Sequence, residues 1–393
     1  MKRQPRVPLA WKNLTHNLRR LAVALCGINF AVVLMFVQVG FRNALFDSTV
    51  QVVNCLNADI VICSKAQYSL PAQMRFGHER IYQARGCEGV AAAYPLYIET
   101  PRAIWKQPRG KGRPIRVIAC ENPAALLDLP GVADYCAGLR EPDTAIIDRA
   151  SKRNSYADPR SDAPLERQRG MELCGRPIRL VGTFEMGTDF TSDGNLLMSP
   201  ENFARYFPQR TIGKTPLAMV DLGVVQVCKG ADPQEVKQRL IESLPHDMLV
   251  KTKDELIDRE IGFWNSSTPI GFVFSLGTVI GFVVGVIICY QVIYADIADH
   301  MPEYATLKAM GYGNGYFVRV VLQEAFYLSV LSFIPGLILS AALYQVLAQS
   351  TGLLMMLTFP RIAVIFLLTV AMCVVSGAMA MRKVLSADPA DLY

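Results

Sequence analysis

Histidine is scarce, with only His16, His78, His246 and His300 in 393 residues, and no Cys-x-x-Cys or Cys/His ligand spacing occurs. That leaves little to hold a transition metal. GxGxxG, GxSxG and HExxH are missing, which removes the usual dinucleotide, serine-hydrolase and zinc-protease signatures. A nucleotide loop is missing as well. TIGKT at 211–215 has the ending of one, but the glycine required five residues before Gly213 is Pro208, which has no amide hydrogen to offer a phosphate. No catalytic residue, cofactor or metal is therefore expected in this chain, and no nucleic-acid partner. Acids are absent from residues 1–20, which hold Lys2, Arg3, Arg6, Lys12, Arg19 and Arg20. Charge is absent from the middle of every long apolar run, which argues against an ion path or proton relay.

What the chain has is apolar residues, 51% of the total, and a positive mean hydropathy. Four runs reach the roughly 20 residues needed to cross a bilayer. They are 21–41, 269–294, 318–347 (interrupted by Pro335-Gly336) and 362–381. The expected fold is an integral membrane α-helical protein with four transmembrane helices and a large α+β domain, 42–268, between the first and second. A loop at 295–317, a short loop at 348–361 and a tail at 382–393 complete the order. The basic arm at 1–20 puts both termini in the cytoplasm and the large domain outside. Residues 295–324 sum to −2 and give this no support. The first run is long and no small-x-small site follows it, so it reads as an uncleaved anchor. Trp11, Leu14, Leu18 and Leu21 have helical spacing among bases. That pattern suits either an ordinary positive flank or a helix lying on anionic lipid.

Residues 43–268 carry 28 bases and 28 acids, the balance of a solvated surface. Strands are expected at 58–63, 94–100, 114–120, 144–148, 177–185 and 221–228. Helices are expected at 122–129, 199–207 (Ser199 as N-cap, Pro200 first), 231–244 and 253–264. The last is expected to run on toward the second span as a continuous rod. Residues 149–170 read as an exposed basic loop. Seven cysteines lie in this domain: Cys55, Cys63, Cys87, Cys120, Cys136, Cys174 and Cys228. An outside location permits disulfides, and spacing does not assign them. In the second run Gly277, Gly281 and Gly285 form one small face. Such a face suits close packing within the chain or a homodimer seam. Pro335-Gly336 is expected to kink the third span.

Between the second and third runs lies MPEYATLKAMGYGNGYF, 301–317. Pro302 suits a first helical turn, Glu303 and Lys308 complement the helix dipole, and Gly311 stops the helix. Gly313 to Gly315 are expected to form a flexible link into the third span. A helix of about nine residues, roughly 13 Å long, is too short to be stable alone. Tyr304, Ala305, Leu307 and Met310 offer apolar contact to a surface, either the bilayer or a partner protein.

PEYATLKAMGY followed by Gln323-Glu324-Ala325 resembles the cytoplasmic loop of FtsX/MacB-type ABC transporter permeases. The wider chain resembles the DevC subgroup. The matching stretches are 7–48, LVGTFEMGTDFTSDGNLLMS (180–199), 263–317, FIPG (333–336) and RKVLSADPADLY (382–393). Residues 60–170 and their cysteines match least. The resemblance implies a coupling helix made of Pro302, Glu303, Tyr304, Ala305, Thr306, Leu307, Lys308, Ala309, Met310 and Gly311, seated in a groove of a separate ABC ATPase that holds the ATP and Mg. It implies a homodimer in the bacterial inner membrane, a periplasmic membrane-fusion adaptor and a TolC-like outer-membrane channel. It also implies export of a lipid, glycolipid or other hydrophobic cargo by mechanotransmission. The alternative is an FtsX-like mechanical regulator of a periplasmic cell-wall hydrolase.

Overall fold

An apolar run of helix-tolerant residues opens the fold. Helix α1 spans Leu18–Asn54, 37 residues, and so extends well beyond the hydrophobic stretch. The structure, a computed structural model, describes residues 11, 14–15, 17–107, 111–151, 170–189, 191–212, 215–351 and 355–386. Most of the basic arm, the bulk of the 149–170 loop, Gly213-Lys214 and the end of the tail lie outside the described residues. So do the side chains of Tyr304 and Ala305. The chain forms two compact units. One holds the apolar helices, and the other holds residues 44–269 with 347–354.

In the second unit, β1 (Ile60–Ser64) is followed by β2 (Phe76–Gly77), α2 (Glu79–Arg85), β3 (Val90–Glu99), β4 (Ile104–Lys106), β5 (Arg113–Pro114) and β6 (Arg116–Cys120). Then come α3 (Pro123–Leu126), α4 (Val132–Tyr135), β7 (Thr144–Asp148), β8 (Glu172–Leu173), β9 (Arg176–Pro177), β10 (Arg179–Phe184) and β11 (Asn195–Met198). The unit ends with α5 (Pro200–Tyr206), β12 (Met219–Val220), β13 (Leu222–Val227), α6 (Pro233–Ser243), β14 (Met248–Thr252) and α7 (Lys253–Ser266). Eight strands form one mixed sheet in the order β10-β7-β11-β6-β3-β13-β1-β14. Only the β10–β7 and β11–β6 pairs within it are parallel.

All six expected strands are present. Their side chains alternate between two cores, as a pleated strand requires. Ile60, Ile62, Val117, Ala119 and Ile147 enter one core with Trp105, Phe203 and Phe207. Val61, Cys63, Ile118, Cys120 and Ile146 enter the other with Val52 and Val53 of α1, Leu56 just beyond it and Leu256 of α7. Burial on both faces explains why β6 and β7 read as continuous apolar runs. Ser199 Oγ accepts from Asn202 N at 3.3 Å and starts α5. Asp232 caps α6 through Gln234 N at 3.1 Å. The helix expected at 122–129 shrinks to four residues, because Leu127 is extended at φ −117°.

In the α+β unit, buried arginines are paired with acids. Arg210, with 1% of its side chain exposed, reaches Asp221 at 2.6 Å and Glu99 at 3.5 Å. Arg75 contacts the same two acids at 3.0 and 3.1 Å. Asp148 accepts from the amides of Ala150, Met186 and Gly187 and from Asn195 Nδ2. Burial pushes its pKa up, and these hydrogen bonds oppose the shift. All ten cysteines are free thiols, so none of the permitted disulfides is formed. Burial raises the thiols of Cys55 and Cys63 to about 11, which keeps them protonated and poorly nucleophilic.

The remaining helices are α8 (Pro269–Asp299), α9 (Met301–Ala309), α10 (Asn314–Thr351) and α11 (Phe359–Ser386). The expected rod is interrupted. Helix α7 stops at Ser266, and α8 begins at Pro269, whose ring disfavours helix at the residue before it. α10 shows no interruption, since the helix runs through Pro335 over 38 residues. With α1, the helices α8, α10 and α11 are long and apolar enough to cross a membrane. The chain is thus a four-span α-helical membrane protein with an α+β domain between its first and second spans. A Cβ added at Gly27 would meet Ile288, one at Gly281 would meet Leu34, and one at Gly277 would meet Gln38. The pairs step in opposite directions, so α1 and α8 pack antiparallel and closely. Phe333 of α10 joins them to α11 through Phe36 and Phe366, at centroid distances of 5.8 and 5.0 Å.

Candidate functional site: the 300–317 hairpin

Helix α9 forms where Pro302 occupies its first turn, Glu303 faces the positive end and Lys308 the negative end. Its stop is a complete Schellman motif. Gly311 N donates to Lys308 O at 3.0 Å, and Tyr312 N donates to Leu307 O at 3.2 Å. Gly311 sits at φ +92°, a conformation that a side chain strains. Thr306 Oγ1 turns back to Pro302 O at 2.9 Å. The Tyr312 ring lies 4.8 Å from that of Tyr316 and ties the cap to α10. The expected flexible link is shorter than its glycines suggested. Asn314 already begins α10, so Gly315 is helical.

The helix presents two faces. Met301 and Leu307 are half-buried and pack on the core formed by the four spans. Pro302, Glu303, Thr306, Lys308, Ala309, Met310 and Gly311 are exposed. Leu307 thus anchors the helix to its own chain, whereas Met310 is 64% exposed. This divides the apolar set that the sequence had grouped together. The exposed face carries one acid and one base beside a methionine.

Two further features flank the hairpin. Glu324 on α10 is 1% exposed, and neither carboxyl oxygen has a hydrogen-bond donor among the described residues. It faces the Asp296 carboxyl of α8. Because α10 starts at Asn314, Glu324 lies in its third turn on the packed side. His300 Nδ1 donates to Asp296 O at 2.9 Å and holds the end of α8. Trp11 meets Tyr327 edge-on at 5.7 Å, and Leu14 packs on the same core. These apolar residues of the arm therefore contact protein.

The glycine stripe lies elsewhere on α8. Gly281 faces Leu34 and Met35, Gly277 faces Gln38, and Gly285 faces Met372 and Ala31. Within this chain, the small face is filled by α1 and α11. No group of three or more metal-ligating side chains occurs among the described residues.

Residues 274–389 match the family described as FtsX-like permease, C-terminal. The match takes in most of α8, all of α9, α10 and α11, and the capped hairpin. Among solved structures, the chain is similar to the periplasmic region of MacB from Actinobacillus actinomycetemcomitans. Identity is 11%, over 51% of this chain and 91% of that one, with a TM-score of 0.36. It is also similar to the extracellular domain of the noncanonic ABC-type transporter YknZ from Gram-positive bacteria. There identity is 14%, over 50% of this chain and 100% of that one, with a TM-score of 0.34. No curated protein matches.

Proposed function

We propose that this chain is the permease subunit of an ATP-driven ABC exporter of the FtsX/MacB type, within the DevC subgroup. The observation that carries the reading is α9. It is a capped nine-residue helix with an exposed mixed face, set between two spans inside the segment similar to FtsX-like permeases. A short helix held by its own cap is a handle that a partner can push. The partner is a separate ABC ATPase, which holds the ATP and Mg and performs the hydrolysis.

In this reading the protein sits in the bacterial inner membrane with both termini cytoplasmic and the α+β domain periplasmic. Two copies act as a homodimer. ATP-driven movement of α9 is passed along α8 and α10, the helices joined to it. The mechanical part is supported by the domain's attachment. Val52 and Val53 at the end of α1, Leu56 just beyond it and Leu256 of α7 enter the same core on one face of the sheet. The segments leading to the first and second spans are thereby fixed to one rigid body. A membrane-fusion adaptor and a TolC-like channel receive the cargo, a lipid, glycolipid or other hydrophobic molecule.

The test is a gentle-detergent pull-down of the tagged chain from native membranes beside a Glu303→Lys variant. The reading expects an ABC ATPase and a periplasmic adaptor with the wild type, and loss of the ATPase with the variant. Recovery of the ATPase with a cell-wall hydrolase and no adaptor replaces export by mechanical regulation. Absence of any ATPase overturns both.

A further inference from the structure

The ends of three spans form an open groove of about 390 Å³ on the membrane side where the α+β domain is attached. Its walls are the last turns of the apolar part of α1, the second and third turns of α8 and the first turns of α11. Connectivity puts these ends at one level. The first span ends there, the second begins there, and the third returns there before the fourth begins.

The lining changes character with depth in the same direction on all three helices. At the membrane edge stand Arg42 and Asn43 on α1, Ser275 on α8 and Arg361 on α11. Toward the bilayer centre come Val39, Val279, Val364 and Leu368, with Thr278 beside Val279, its hydroxyl turned back to Phe274 O at 2.9 Å. Seven residues of helix separate Arg361 from Leu368, a depth of about 10 Å. Among the described residues, no Asp or Glu lines the groove. Each guanidinium carries five donors in a fork that fits phosphate oxygens; Arg361 donates to Met356 O at 3.1 Å, and both arginines make further contacts within the chain. A single arginine at a span end is an ordinary interfacial flank. Here two come from separate helices to one polar mouth above an apolar floor.

We propose that this groove holds an anionic phospholipid of the surrounding leaflet. The headgroup phosphate lies between Arg42 and Arg361, and an acyl chain lies along Val39, Val279, Val364 and Leu368. The match is one of charge to charge and of apolar length to chain. The lipid is a resident ligand of the helical unit and not the exported cargo. The inference rests only on these helices spanning a bilayer, and it stands or falls separately from ATPase coupling.

The experiment is native mass spectrometry of the full-length protein released from nanodiscs, titrated with phosphatidylglycerol or phosphatidylcholine. No ATPase is added. The variants are Arg42→Gln/Arg361→Gln, Arg42→Lys/Arg361→Lys, and Val364→Trp to fill the floor. Arg113→Gln, in the α+β domain, is the control. Wild type and the control should retain phosphatidylglycerol over phosphatidylcholine. The double glutamine variant should bind phosphatidylglycerol roughly tenfold more weakly or worse, from the usual worth of two basic side chains near a lipid surface. The lysine pair should keep part of the preference, and Val364→Trp should lose the lipid with both arginines intact. Equal retention of the two lipids by wild type overturns the proposal whatever the variants do. Full competition by soluble glycerol phosphate overturns the lipid source. Loss of dimer in place of lipid from the substituted proteins assigns the groove to a second copy and also overturns it.

Discussion

Gly311 holds φ at +92° and donates the first of the two hydrogen bonds that close α9. Replacing it by alanine strains a left-handed position by about 1–2 kcal/mol. The expected outcome is a lower melting temperature of the helical unit and weaker ATPase retention, read by scanning fluorimetry and pull-down. Leu307 and Met310 separate anchoring from docking. Leu307→Asp should lower thermal stability, since its side chain packs on the chain's own core. Met310→Asp should leave the melting curve unchanged and reduce ATPase association. In the α+β domain, Arg210→Met leaves Glu99 and Asp221 with Arg75 alone and should cost about 3 kcal/mol in denaturant unfolding. Glu255 offers a pH test. Its hydrogen bond from Lys237 and its role in the capping box with Thr252 hold its pKa below the usual range. A depressed carboxyl adds stability above its unfolded pKa and loses it as the pH falls through the folded value. Glu255→Gln should therefore flatten the acid limb of the stability profile and change little below it.

The elements with the clearest sequence patterns were legible. Alternation and β-branched runs marked β1, β3, β6, β7, β10 and β13, and cap residues marked α5 and α6. The others were hidden for physical reasons. β11 is four residues led by Asn195 and is held by its neighbours β6 and β7. β14 pairs with β1 through five residues, two of them polar. The hairpin's cap could be read from Pro302, Glu303, Lys308 and Gly311. The inward turn of Leu307 and the burial of Glu324 could not, because both depend on how α9 and α10 pack on the other spans. The glycine stripe showed that something comes close to α8 but did not identify it. In the structure α1 and α11 occupy that face. Gly281→Leu would drive a side chain into Leu34 and Met35. It should lower stability by about 1–3 kcal/mol, measured as a melting shift of the detergent-solubilised protein.

At the scale of the whole molecule, the account joins an exposed capped helix to long spans, and the segments that lead into the first two spans to one sheet face. The central claim is that the outer face of α9 seats in an ATPase groove. Site-specific photocrosslinking in native membranes tests it most directly, with the probe placed in turn at Glu303, Met310 and Leu307. The account predicts crosslinks to an ABC ATPase from Glu303 and Met310, and crosslinks within the same chain from Leu307. If Glu303 and Met310 react only with lipid or with their own chain while the ATPase is present, α9 is a membrane-surface loop helix and the claim is wrong.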